Sequence, residues 1–144
     1  MRRLLIPFDG SAAAMRAVQY VVKLAGAMTE PLDVVLLAVV PPAGFAEQLL
    51  QGKPSEVRAL LEPELEDARK SLQPAAAAFA KAGVTSQQHV EIGAPEELIT
   101  QYGKTYHCNM IVMGTRGLGS AGLLLGSVAN KTVHLTELPV MLVK

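Results

Sequence analysis

Between Ile111 and Val133 the sequence reads IVMGTRGLGSAGLLLGSVANKTV, with glycines at 114, 117, 119, 122 and 126. A phosphate binds backbone N–H groups at short range, and any side chain at those positions blocks the approach. An apolar, strand-like segment leads into the run, and a helix-like segment leaves it at Gly126 and Ser127. The free N–H groups and positive dipole end of such a helix favour an anion. The Ser127 hydroxyl adds a donor and Arg116 adds a positive charge. No Lys-Ser/Thr pair follows the glycines, so this is not a Walker-type loop. No Gly-x-Gly-x-x-Gly follows the first strand-like run, which weighs against a dinucleotide site. Glycines also collect in connections that hold nothing, and AGLLLG can equally dock three leucines on a core. Spacing alone leaves both readings open.

Other chemistries lack their residues. His89, His107 and His134 are scattered, and no His/Cys/Asp spacing suits zinc. No nucleophile elbow or Ser-His-Asp arrangement is visible, so no catalytic residue is assigned. Cys108 is the one cysteine; it excludes an internal disulfide, suggests a reducing compartment and reads as a half-buried structural thiol. The acidic run over residues 62–67 reads as a solvated helix face. Thirteen basic residues balance thirteen acidic ones, leaving no field to draw nucleic acid or an anionic membrane. No apolar stretch approaches a membrane span, and MRRLLIPFDGS reads as a strand running into an acidic turn rather than a leader. A cytoplasmic protein is expected.

The elements that must position the loop follow from periodicity. The 144 residues are 50% apolar and 18% charged, enough for one ordinary domain over 1–144 with its own core. Residues 3–8 are a short apolar strand that ends in DGS turn chemistry. Apolar residues then recur at three- and four-residue steps over 11–28, with Ser11 as N-cap. LDVVLLAVV, residues 32–40, is a nearly unbroken apolar run, as in a strand covered on both faces. Residues 41–55 are irregular and predict a loop with a short helical piece. A helix is expected over 55–82, capped by Gly83, with Pro63 and Pro74 as kinks or breaks, or with Pro63 opening it. A strand over 84–93, a helix opened by Pro95, a strand over 108–114, a helix over 127–137 and a last strand over 138–144 complete the chain. This βα alternation predicts an α/β fold: a parallel sheet with helices on both faces. Ligands of such open sheets sit beyond the carboxyl ends of the strands, where the strand order reverses.

LLIPFDGS, GAPEELI, NMIVMGTRG and LLLGSVANKTVHLTELPVMLVK resemble the universal stress protein family, with the likeness weakest over residues 41–82. The resemblance implies a single open parallel five-stranded sheet in the order 3-2-1-4-5, Rossmann-like, in a protein that is usually a homodimer. One branch of the family binds ATP through the pattern Gly, two residues, Gly, nine residues, Gly, then Ser or Thr. Gly114, Gly117, Gly126 and Ser127 match the ends of that pattern, but only the eight residues 118–125 separate Gly117 from Gly126. The span is one residue short, up to about 3.5 Å of chain. The resemblance further implies that Pro7, Phe8 and Asp9 line the nucleoside side, and that the Val39 backbone meets adenine. It implies that Met113 forms an apolar wall and that Val128 joins Arg116 and Ser127 on the phosphate side. Asp9 suits a ribose hydroxyl and also suits an ordinary turn. Two functions follow: an ATP-binding module, with Mg, that hydrolyses slowly or not at all; or a dimeric interaction protein whose crevice holds no ATP. In both, the apolar last strand Val140–Val143 is expected to pair with a second copy.

Overall fold

The computed structural model describes residues 2–116 and 125–144. Its elements run β1 (Arg2–Pro7), α1 (Ala12–Ala27), β2 (Leu32–Val40), α2 (Phe45–Gly52), α3 (Pro54–Leu60), α4 (Glu62–Lys81), β3 (Thr85–Ile92), α5 (Pro95–Thr105), β4 (Met110–Gly114), α6 (Ser127–Leu135) and β5 (Val140–Val143). The strands form one five-stranded sheet in the order β3-β2-β1-β4-β5, and every neighbouring pair is parallel. This is the order that the resemblance implies.

Strand alternation divides the core between the two faces of the sheet. Leu4, Ile6, Val34, Leu36 and Val112 face one way, against Val18 and Val21 of α1 and Leu72 and Phe79 of α4. Leu5, Val35, Leu37, Ile111 and Met113 face the other way, against Ile99 of α5 and Ala129 of α6. Coverage from both sides is why β2 carries almost no polar residue.

The chain between β2 and β3 is more helical than its sequence suggests. The irregular stretch contains α2 and leads into α3, and the long helix expected over 55–82 is divided at Leu61 into α3 and α4. Pro63 sits in the first turn of α4, where its missing N–H costs nothing. Pro74 lies inside α4 without ending it, flanked by the buried Leu72, Ala75 and Phe79. Packing of that face offsets the roughly 3 kcal/mol that an interior proline costs. Gly83, at φ 72°, ends the helix. Its N–H donates to the Ala80 carbonyl at 3.1 Å and that of Val84 to Phe79 at 2.9 Å, so the last carbonyls are satisfied.

The amino edge of the sheet is tied by Arg3. Its guanidinium donates to Asp33 Oδ2 from Nε at 2.7 Å and pairs with it through Nη2 at 2.7 Å. Nη1 reaches the Tyr106 carbonyl at 2.8 Å. Asp33 is buried within β2, so this guanidinium is what makes its charge tolerable. The Arg3 backbone exchanges two 2.8 Å bonds with Asn109, using its side-chain oxygen and its N–H.

At the carboxyl edge the strands part. β1 pairs with β2 over its whole length, but with β4 only at Leu4–Met110 and Leu5–Ile111. Phe8 N–H points to the Leu37 carbonyl of β2 at 2.8 Å. By alternation the position before it faces β4, and that position is Pro7, which has no N–H to give. The β1–β4 ladder stops there. The start of α1 is close to the end of β4: a Cβ on Gly114 would lie 2.8 Å from the Ala13 carbonyl carbon and 2.8 Å from its Cβ. Gly114 is therefore required by packing. Replacing it with alanine is expected to cost about 1–3 kcal/mol through overpacking. Gly26→Ala, in α1 with nothing within 4 Å, should instead stabilise by about 0.5–1 kcal/mol. Urea denaturation of both variants checks the contrast.

Candidate functional site

Beyond the carboxyl ends of β1, β2 and β4 lies a cavity of about 520 Å³, within the usual range of roughly 300–1,000 Å³ for small-molecule sites. Pro7, Phe8 and Asp9 reach it from the end of β1, and Val39 from β2. Met113, Gly114 and Arg116 reach it from β4, and Gly126, Ser127 and Val128 from the start of α6. Residues far apart in the chain thus line one space. Gly117 lies outside the described residues. Phe8 and Met113 are also core side chains, 5% exposed each, so they brace the sheet as well as wall the cavity.

Local chemistry fixes the turns around it. Asp9 Oδ1 accepts the Ser11 N–H at 2.9 Å, and Gly10 between them takes φ 80°. Ser11 Oγ in turn accepts the Ala14 N–H at 3.1 Å and caps α1, as its sequence position predicts. The start of α6 is different. Its N-cap is Gly126, which offers no side-chain hydrogen bond. Among the described residues no side chain caps the first N–H groups of α6, and the positive end of its dipole favours an anion there. The Thr115 carbonyl accepts the Gly126 N–H at 2.6 Å, so the chain leaving β4 and the chain entering α6 are pinned together.

Several cavity residues carry no signal in the sequence. Ser11 stands out only as a helix cap, and Pro41, Pro95 and Ile99 only as a turn, a helix start and a core residue. Asp67, Ala68 and Ser71 line the cavity from α4. Asp67 closes the acidic run read as a solvated helix face, and Ala68 and Ser71 carry no signal of their own. The polar groups are segregated: Arg116, Ser127 and the α6 terminus supply donors, and Asp9 and Asp67 supply carboxylates. No group of three His, Cys, Asp or Glu placed to hold a metal ion occurs among the described residues.

Cys108 is buried beneath the opposite edge. Burial pushes its thiol up to about 11; the Arg3 charge pulls it back and Asp33 adds to the rise. No described helix is long and apolar enough to cross a membrane.

With this geometry in place, comparison with known proteins is direct. The sequence pattern of the universal stress protein family matches residues 1–144. A universal stress protein of Thermus aquaticus is 35% identical over 145 residues, covering 99% of this chain and 98% of that one. Among solved structures, UspA of Lactobacillus plantarum is similar with a TM-score of 0.82 at 23% identity, over 99% of this chain and 97% of that chain. A universal stress protein family member of Arabidopsis thaliana, solved with AMP bound, has a TM-score of 0.73 at 19% identity, over 100% and 92%.

The Cys108 environment gives a test independent of any ligand. At pH 8 a thiol pushed up to about 11 holds far less thiolate than a free cysteine. Its reaction with an aromatic disulfide reagent should be slower by more than about 100-fold, and unfolding in urea should restore the free rate. Fast reaction in the native protein would contradict the burial.

Proposed function

The chain belongs to the universal stress protein family, and from that premise we propose that it is a small binding module for adenine nucleotides, ATP with magnesium foremost. The observation that carries the proposal is the uncapped N-terminus of α6, which opens on a cavity with an apolar end at β2 and a carboxylate between. Three chemistries in that order suit the three parts of a nucleotide. Val39 and Pro41 would flank the base, Asp9 would accept from the sugar, and the α6 N–H groups with Ser127 and Arg116 would hold phosphate. An AMP-bound relative of the same fold supports the reading. Magnesium would arrive on the phosphate oxygens, as it commonly does, since no protein cage for it occurs among the described residues.

The module is not an enzyme in this reading. Arg116, Gly126, Ser127 and Val128, the described residues at the phosphate end, include no carboxylate or imidazole to take a proton from water. Binding would instead act by holding the segment between β4 and α6 in one arrangement. The whole chain would work as one domain in the cytoplasm, in a stress response that the family name implies.

The same reading includes a homodimer. β5 is an edge strand on which Leu142 is 37% exposed, and Val133 and Leu135 of α6 are exposed at 40% and 49%. An apolar, unpaired edge of this kind joins a second copy readily.

Two measurements test these proposals. In calorimetry with and without magnesium, Ser127→Asp should weaken ATP binding at least about tenfold by charge repulsion. The same change should leave the fold as stable or raise stability by about 0.3–1 kcal/mol, because a helix start favours an acid. Unchanged affinity would exclude the α6 terminus as the phosphate site. No heat at millimolar ATP would favour the dimeric interaction protein with no nucleotide. Separately, Leu142→Lys should convert a two-chain species to a single chain in sedimentation velocity while the melting transition stays cooperative.

A further inference from the structure

We propose that Asp67 on α4 makes the site selective for the sugar of its ligand, by accepting hydrogen bonds from the vicinal hydroxyls of a ribonucleotide. The inference rests on the nucleotide reading above and adds a residue that the family likeness does not supply. The sequence stretches that carry that likeness all lie outside α4.

α4 turns one side to the cavity through Asp67, Ala68 and Ser71. Asp67 and Ser71 are four residues apart, so they stand one above the other on the helix. The Ser71 hydroxyl donates its proton to the Ala68 carbonyl at 2.7 Å. Its oxygen therefore offers only lone pairs, and the Asp67 carboxylate is likewise an acceptor. Of the other acids near it, Glu64 does not line the cavity and two are engaged elsewhere. Glu62 and Glu66 pair with Arg69 at 3.0 and 2.8 Å. Asp67 has no ion pair or hydrogen bond among the described residues.

This acceptor side of α4 lies against the turn after β1. A Cβ on Gly10 would lie 3.6 Å from the Ser71 Cβ, so the helix packs over the turn that carries Asp9. The middle of the cavity is therefore framed by acceptors from two elements: Asp9 on the sheet side and Asp67 with Ser71 on the helix side. Along the sheet edge this middle lies at β1, between β2 and β4. A nucleotide with its base at β2 and its phosphates at α6 leaves its pentose there. The donors of a pentose are its 2′- and 3′-hydroxyls. A phosphate at that point would be repelled, so the acceptors also fix which way round the ligand lies.

The test compares AMP with 2′,3′-dideoxy-AMP, which keeps base and phosphate and lacks both donors. Affinities are measured by calorimetry for the unmodified protein, Asp67→Ala and Asp67→Asn. Asp67 is exposed, so either change should leave the fold intact. The unmodified protein should prefer AMP. Asp67→Ala should weaken AMP roughly tenfold, the scale of a charge-assisted hydrogen bond at an exposed site, and leave the dideoxy compound unchanged. Asp67→Asn, neutral but still an acceptor, should fall between. An equal change for both ligands, or no change, would overturn the role of Asp67 while leaving nucleotide binding intact. Failure of the unmodified protein to bind either ligand would overturn both this inference and the function on which it rests.

Discussion

At Pro7 the first strand runs out of the donor that would continue its ladder to β4. Up to Leu5 the two strands are hydrogen-bonded; beyond it they separate. On the other side β1 stays paired with β2, and Phe8 still donates to Leu37. The break therefore opens on one side only, at the place where the strand order reverses. Gly114 lets the end of β4 lie against Ala13 without a clash. The cavity is a consequence of these two local facts: a residue with no N–H and a residue with no Cβ.

Once that crevice exists, the helix ends decide its character. α1 caps itself with Ser11, whose hydroxyl takes the Ala14 N–H. α6 begins at a glycine, and among the described residues no side chain caps it. α4 supplies acceptors from above. The result is a space with donors at one end and acceptors in the middle, a polarity that an extended anion with hydroxyl groups can match.

The opposite edge of the sheet carries stability instead. Arg3 joins β1 to Asp33 on β2 and to the turn after α5, and Asn109 closes the same corner from the start of β4. Asn109 acts there through a neutral amide oxygen that accepts the Arg3 N–H, beside a guanidinium already engaged with a carboxylate. The buried charge pair lies at the amino edge, with Asp33 Oδ1 left without a hydrogen bond among the described residues, and the start of α6 lies at the carboxyl edge. The two requirements are met at opposite ends of the same strands.

Much of this was present in the order of residues. The unbroken apolar run of β2 implies two covered faces, and the three- and four-residue steps of α1 imply its buried side. Ser11 and Gly83 announce a helix start and a helix end through side-chain oxygen and missing Cβ. Local signals of this kind depend on neighbours in sequence, so sequence suffices. The resemblance likewise pointed to Asp9 and Ser127, and the glycine-loop reading to Arg116, and all three line the one cavity. That Pro63 opens α4 was one of the roles its sequence offered, but the choice between that and a kink was not legible, because an alanine-, glutamate- and leucine-rich stretch is helical in either case. Nor was the use of Gly114, whose neighbour Ala13 is a hundred residues away. Asp67 and Ser71 show the limit most clearly. The apolar stripe of α4, Leu65, Leu72, Ala75 and Phe79, shows which side meets the sheet, but not that the flank carrying Asp67 and Ser71 borders the cavity, which the packing of α4 over Gly10 decides. Sequence determined which elements form and where they begin, since hydrogen bonds and turns are local. Tertiary structure decided which groups face one another, since that depends on distances through space that no spacing along the chain records.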